Sequence, residues 1–207
     1  MKERPPVVFI VDDDEAVRAS LRLLIKSVGL AATACGSAAE FLREYDPEQP
    51  GCLVLDVRMP EMTGLELQER LNHQGAVLPV IFITGHGDVT MAVEAMQAGA
   101  FDFLQKPFRD QDLIDRVQRA LQKDRISRVA LSERNLIRQR FAALTPRERD
   151  ILELVSSGKA NKVMAADLGI SQRTVEIHRG RVMEKMGAVS VAQLVRMVMD
   201  LAESAPR

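Results

Sequence analysis

The stretch VVFIVDDDEAVRASLRLLIKSV, residues 7–28, joins two patterns of different period. Its first five residues are an unbroken apolar, mostly β-branched run, the mark of a strand buried on both faces. After the polar turn at 12–14, Val17, Leu21, Leu24, Ile25 and Val28 recur at helical spacing. The alternation repeats downstream. Short apolar runs at 53–55, 80–83 and 101–104 are separated by helix-like segments near 37–44, 65–71, 89–98 and from 110 onward. Strands alternating with helices predict a parallel sheet covered on both faces.

In such a sheet, ligands bind outside the carboxyl ends of the strands, at a topological switch point. The predicted strand ends carry Asp12 and Asp13, then Asp56, then Thr84, then Lys106. Three carboxylates in one pocket repel one another and call for a cation. Oxygen ligands with room left for water and phosphate suit Mg²⁺. Lys106 as a point cation and Thr84 as a hydroxyl donor both suit phosphoryl oxygens. A carboxylate can itself take a phosphoryl group as an aspartyl phosphate, and Asp56, on the middle strand, is the natural acceptor. Any one of these residues alone reads as an ordinary loop or cap residue. Together, at successive strand ends, they point to phosphoryl chemistry.

The chain has 207 residues, 46% hydrophobic and 28% charged, enough for a packed core in one large or two modest domains. No apolar run approaches the roughly 20 residues of a membrane span, and the charged start MKERPP opens no signal peptide. Cys35 and Cys52 read as reduced, buried thiols of a cytoplasmic protein rather than a disulfide or zinc framework. The net charge of −1 conceals segregation: −7 over residues 1–108, +4 over 109–140 and +2 over 141–207. Either the segregation is chance on solvated faces or two modules meet different partners.

No Pro or Gly interrupts residues 109–144, which disfavours a flexible linker. Leu113, Val117, Leu121, Val129, Leu131, Leu136 and Ile137 fit one long helix or two short ones. An apolar seam there could support a dimer, although its spacing is too irregular for a coiled coil. The arginines of this stretch read as a solvated face before they read as phosphate contacts.

Thr145-Pro146-Arg147-Glu148 is a helix start, with Thr as N-cap, Pro in first position and Glu three residues after the cap. Residues 161–168 form a short helix closing at Gly169, Ser171 caps a third helix ending before Gly187, and residues 191–201 supply a fourth. A short helix, a glycine turn and a second helix make a helix-turn-helix. On the third helix Val175, Val182, Met183 and Met186 share the buried stripe. Arg173, Glu176, Ile177, Gly180 and Arg181 lie opposite, where a major groove would be read. Gly180 is either a tolerated surface glycine or a point of close backbone approach to DNA. Lys162, Thr174, Arg179 and Lys185 are the phosphate candidates, which position without reading sequence. The stem of Arg179 lies close to the buried stripe.

VDDDEAVR, LVLDVRMPEMTGLEL and PVIFITGHGDVTMAVEAMQAGAFDFLQKPF resemble the receiver domain of two-component response regulators over about residues 5–122. LTPRERDILELVSSGKANKVMAADLGISQRTVEIHRGRVMEKMG resembles the LuxR-type DNA-binding domain over about 141–203, and the whole is similar to regulators of the FixJ kind. The resemblance implies a flavodoxin-like five-stranded receiver over 1–122, a helical linker over 123–140 and an all-α four-helix domain over 141–207. It implies Mg²⁺ held by Asp12, Asp13, Asp56 and the main-chain carbonyl of Arg58. Asp56 would take phosphate from a sensor histidine kinase, with Thr84 and Lys106 on the phosphoryl group and Phe103 as either the switch aromatic or a plain core residue. It implies a homodimer on phosphorylation, promoter DNA and RNA polymerase as partners, and a cis peptide at Lys106–Pro107, where a tertiary amide permits one. Glu176 stands where many LuxR-type domains carry Lys. Two other classes fit less well. A haloacid-dehalogenase-like phosphohydrolase puts its nucleophile in the first aspartate motif, and a pure protein-interaction bundle leaves the basic helix face unused.

Overall fold

In the computed structural model, which describes residues 4–85 and 89–203, the apolar runs form one all-parallel sheet. Its strands are β1 (Val7–Val11), β2 (Ala31–Cys35), β3 (Gly51–Asp56), β4 (Val80–Thr84) and β5 (Asp102–Gln105), in the order β2-β1-β3-β4-β5. Side chains alternate across the sheet with period two. Phe9, Val11, Leu53, Leu55, Val80 and Phe82 pack on one face against α2 (Ala38–Glu44), α3 (Gly64–His73) and α4 (Val89–Gln97). Val8, Ile10, Cys52, Val54, Ile81 and Ile83 pack on the other against α1 (Glu15–Ser27) and α5 (Asp110–Ala142). Both faces are covered, which is why these strands read as continuous apolar runs rather than alternating ones. Both cysteines are free and buried.

β2 carries no such run. Its sequence AATAC is small and partly exposed, because an edge strand pairs on one side only, here with β1 in the register Val7↔Ala31 to Val11↔Cys35. The run expected at 101–104 is displaced by one residue: Phe101 donates its N–H to the Val80 carbonyl at 2.8 Å, and the strand begins at Asp102. Ser37 is the cap of α2 rather than its first residue, its side chain accepting from the Glu40 N–H.

The chain divides into two compact units between Arg128 and Val129. This point falls inside α5, a single helix of 33 residues, so of the two forms open to the connector the continuous one is found. The second unit contains α6 (Pro146–Ser156), α7 (Asn161–Leu168), α8 (Gln172–Met186) and α9 (Val191–Glu203). Its core joins Ile151, Leu152 and Val155 to Met164, Val175, Val182, Met186, Leu194 and Met197, with Ile137 and Phe141 packed against them. Residues 86–88 of the GHGDVTMAVEAM motif, and residues 1–3 and 204–207 of the expected domains, lie outside the described residues. No helix among the described residues is long and apolar enough to cross a membrane.

Strand order reverses between β1 and β3, so the carboxyl ends of these two strands flank the crevice. One glycine fixes how the chain leaves it. A Cβ on Gly64, at the start of α3, would lie 2.2 Å from the Asp56 carbonyl oxygen and 3.0 Å from the Phe82 ring. The Gly64 N–H meanwhile donates to the Val57 carbonyl at 2.9 Å, closing the loop behind Asp56. Gly64→Ala is therefore expected to lower unfolding stability by about 2–4 kcal/mol, measured by urea denaturation of the full chain against wild type. An unchanged midpoint would contradict this close approach.

Candidate functional sites

Asp12 and Asp56 are brought together with Lys106 at the carboxyl ends of β1, β3 and β5. Lys106 Nζ lies 2.9 Å from Asp12 Oδ2 and 3.1 Å from Asp56 Oδ1. Asp12 is 1% exposed and Asp56 8%. The second oxygen of each is used locally: Asp12 Oδ1 accepts the Asp14 N–H at 2.9 Å, and Asp56 Oδ2 accepts the Arg58 N–H at 2.8 Å. Arg18 donates to the Asp12 carbonyl at 2.7 Å. Thr84 is buried at the end of β4, and its carbonyl accepts the Lys106 N–H at 2.7 Å. The Lys106–Pro107 peptide is cis.

The three adjacent acids separate by role. Asp14 caps α1, accepting the N–H groups of Ala16 and Val17. Asp13 is exposed, and Asp12 is buried. Repulsion among the carboxylates is met first by the chain's own ammonium. Burial raises the pKa of Asp56 against the lowering pull of Lys106 and the Arg58 N–H. For Lys106, burial opposes the charge, yet hydrogen bonds to Asp12 and Asp56 leave its pKa above the ordinary lysine value. The two directions are compatible: the ammonium gains two carboxylates, whereas Asp56 shares one ammonium with Asp12.

The donors expected around Asp56 are all oxygens, namely the carboxylates of Asp12, Asp13 and Asp56 and the Arg58 carbonyl. They suit a hard, partly hydrated cation such as Mg²⁺ better than a thiophilic one. As arranged, the three aspartates do not converge within one ion's reach. Among the described residues that property belongs to Cys35, Glu40 and Glu44, where Glu40 is already engaged by the Gly36 N–H at 2.6 Å.

Phe103 is half-buried on β5, packed against the α2/α3/α4 side of the sheet. It lines a groove of about 790 Å³ with Val93 and Met96 of α4 and Phe108, Asp112 and Arg116 nearer α5. Arg58, beyond Asp56, extends its guanidinium to 3.8 Å from Met91 Sδ, tying the acceptor loop to α4.

In the second unit Arg173, Glu176, Ile177, Gly180 and Arg181 share the exposed face of α8, with Ile177 49% exposed. A Cβ on Gly180 would meet nothing within 4 Å, so packing inside this chain does not require glycine there. Lys162 is exposed at the start of α7. Thr174 shares a 2.8 Å hydrogen bond with the Ser171 hydroxyl that caps α8, and Arg179 donates to the Asn161 side chain, joining α8 to α7. Lys185, at the end of α8, is exposed and is also ion-paired within the chain. Its ammonium lies 2.7 Å from Glu148 Oε2 and 3.3 Å from the Ala143 carbonyl, so it buttresses the start of α6. Sequence spacing could not find this pair, because 37 residues separate its members.

Two family models match the chain: the response regulator receiver domain over residues 8–118, and the luxR family of bacterial regulatory proteins over 142–198. A doubly wound sheet with a lysine shared by acids at its switch point, followed by a helix-turn-helix unit, defines a two-component response regulator. The chain belongs to this family, in the branch that joins a receiver to a LuxR-type DNA-binding domain. It is 50% identical over 206 residues to the transcriptional regulatory protein FixJ of Azorhizobium caulinodans, covering all of this chain and 97% of that one. It is 48% identical over 199 residues to nodulation protein W of Bradyrhizobium diazoefficiens, covering 96% and 88%. Among solved structures it is similar to the response regulator StyR, with a TM-score of 0.84 and 45% identity over 94% of this chain and 98% of that one.

Glu148 generates the prediction here. Its carboxylate accepts from Lys185 and from the Thr145 N–H, and these bonds hold its pKa near 2, below the ordinary 4.5. A depressed folded-state pKa contributes stability that is complete above pH 4.5 and lost as pH falls toward about 2. Glu148→Gln is expected to flatten that acid dependence and cost about 2 kcal/mol at neutral pH. Urea unfolding of the full chain across the acid range measures both, and an unaltered acid slope would refute the assignment.

Proposed function

We propose that Asp56 accepts a phosphoryl group from a phosphohistidine of a sensor kinase, and that this ester controls DNA binding by the second unit. The observation that carries the reading is the sharing of Lys106 between the Asp12 and Asp56 carboxylates at the switch point of the sheet. In the transfer an Asp56 oxygen forms a bond to phosphorus as the P–N bond to the kinase imidazole breaks. Asp12, Asp13, Asp56 and the Arg58 carbonyl would hold Mg²⁺, which supplies charge neutralisation at the phosphoryl oxygens.

Before transfer, Lys106 neutralises the two buried acids. Esterification moves the negative charge from the Asp56 carboxylate outward to the phosphoryl oxygens. Lys106 and the Thr84 hydroxyl then bind those oxygens, drawing in the ends of β4 and β5. Phe103, half-buried beside Val93 and Met96, follows inward and reshapes the groove surface, favouring a homodimer. A pair of α8 helices is thereby presented to two half-sites of promoter DNA, with recruitment of RNA polymerase and activation in the cytoplasm as the outcome. This is a two-state equilibrium biased by one charged group, with no substrate turned over beyond the ester itself.

On α8, Arg173 and Arg181 suit guanine edges, Glu176 a cytosine amino group and Ile177 a thymine methyl. Gly180 permits the backbone to come close to the groove, a reading supported by the open space around it. Lys162, Thr174, Arg179 and Lys185 serve the phosphates.

Asp56→Asn is expected to abolish phosphate incorporation from acetyl phosphate and phosphate-dependent dimerisation, read by phosphate-affinity electrophoresis and light scattering. Retained incorporation would move the acceptor elsewhere. Arg173→Ala and Arg181→Ala are each expected to weaken binding to duplexes selected from genomic DNA by about 1–3 kcal/mol at fixed salt, leaving phosphorylation intact. Affinity equal to wild type would remove the groove assignment.

A further inference from the structure

Six polar side chains are buried among the described residues, and five have a place above or nearby. Asp12, Asp56 and Thr84 form the acceptor pocket, Glu148 caps α6, and Gln68 of α3 donates to the Ala95 and Ala98 carbonyls at the end of α4. The sixth, Asp124, sits on α5 at 1% exposure, six residues beyond the receiver match that ends at 118. It belongs to a second polar cluster, at the opposite end of β3 from Asp56.

Asp124 Oδ2 accepts the N–H of Gly51, the first residue of β3, at 2.9 Å. One helical turn later, Arg128 sends Nε to both Asp124 oxygens at 2.9 Å, Nη1 to the Pro47 carbonyl at 2.8 Å and Nη2 to the Gln49 carbonyl at 2.8 Å. Every nitrogen of the guanidinium is used, and its two carbonyl targets lie on the loop between α2 and β3, 79 and 81 residues earlier in the chain. The loop is itself rigid there. Val7 donates to the Pro50 carbonyl at 2.9 Å, and a Cβ on Gly51 would fall 2.0 Å from the Val7 carbonyl oxygen. The compact receiver unit ends at Arg128.

We propose that Asp124 and Arg128 form a clasp that holds the turn of α5 at 124–128 to the base of β3, fixing the point at which the connector leaves the receiver, and that the phosphorylation signal reaches the DNA-binding unit only while the clasp is closed. The clasp's transmitting role rests on the phosphoacceptor reading of Asp56; its existence does not. A helix can pass on a displacement only from a fixed end, and between Ala120 and Arg128 the exposed Lys123, Arg125 and Ile126 contribute little packing to hold it. Apolar burial of α5 in the receiver is carried by Leu113, Ile114, Val117 and Ala120, with Leu121 partly buried against the same core, so beyond Leu121 the polar clasp is what secures the helix to the receiver. A buried ion pair suits a clasp better than more apolar packing, because losing either partner strands the other charge and opens the contact as a unit.

The test uses the full-length protein. Arg128→Met keeps the stem and removes the fork; Asp124→Asn with Arg128→Met removes both charges, so that neither is stranded if the single variant folds poorly. In both, hydrogen exchange is expected to rise at least tenfold over residues 119–128 and at Gly51, while phosphate uptake from acetyl phosphate stays within twofold of wild type. The phosphorylation-dependent gain in affinity for a duplex selected with the phosphorylated wild type is expected to fall toward onefold. Unchanged exchange overturns the clasp. Raised exchange with a full phosphorylation-dependent gain overturns its transmitting role and leaves it purely structural. A wild type that takes up no phosphate defeats the reading of Asp56, and the exchange measurement then judges the clasp by itself.

Discussion

The receiver unit is organised around an ammonium shared by two buried carboxylates. Lys106 lies within 3.1 Å of both Asp12 and Asp56, and its position depends on β5 running parallel to β4 and on the tie from its own N–H to Thr84. Without that cation, two acids at the ends of adjacent strands would repel in a desolvated crevice, and the sheet's switch point would be its least stable region. With it, the pocket carries one net negative charge from these three groups and keeps an acceptor oxygen in place. The arrangement explains why burial raises the pKa of Asp56 while Lys106 is held charged.

The rest of the unit serves this constraint. β1, β3 and β4, buried throughout except at Val7, deliver their last residues to one rim, and the glycine at position 64 lets α3 begin against the Asp56 carbonyl. The opposite end of β3 is fixed by Asp124 and Arg128, so the central strand is held at both ends by buried ion pairs. In the second unit the same device recurs on a smaller scale. The Glu148 carboxylate closes a capping box with Thr145 and takes the Lys185 ammonium, joining the start of α6 to the end of α8. That bond ties the end of α8 to α6 and leaves Arg173, Glu176, Ile177 and Arg181 on an exposed face.

Much of this was legible in residues 7–28 and their repeats, because a strand buried on both faces must be apolar throughout and a helix beside it must be apolar on one stripe. The caps at Thr145 and Ser171 were readable for a similar reason: a hydroxyl that satisfies orphan N–H groups sits at a fixed spacing from the helix it starts. β2 was not readable, since a small-residue edge strand has no periodic signal and gains its identity from the register with β1. Nor was the pairing of Lys185 with Glu148, since a lysine's charge reads the same with or without that partner.

What the sequence determined by itself was therefore local and periodic: the strands and helices that carry an apolar pattern, and that acids, hydroxyl and lysine fall at strand ends. What the tertiary structure decided was which charges meet. Asp12, Asp56 and Lys106 converge, Asp13 stays in solvent, Asp14 turns back to cap α1, and Asp124 reaches Gly51 across 73 residues. The reason is physical. Hydrophobic periodicity is set by neighbours in the chain, whereas the pairing of charges is set by the three-dimensional packing that brings remote residues into one desolvated place.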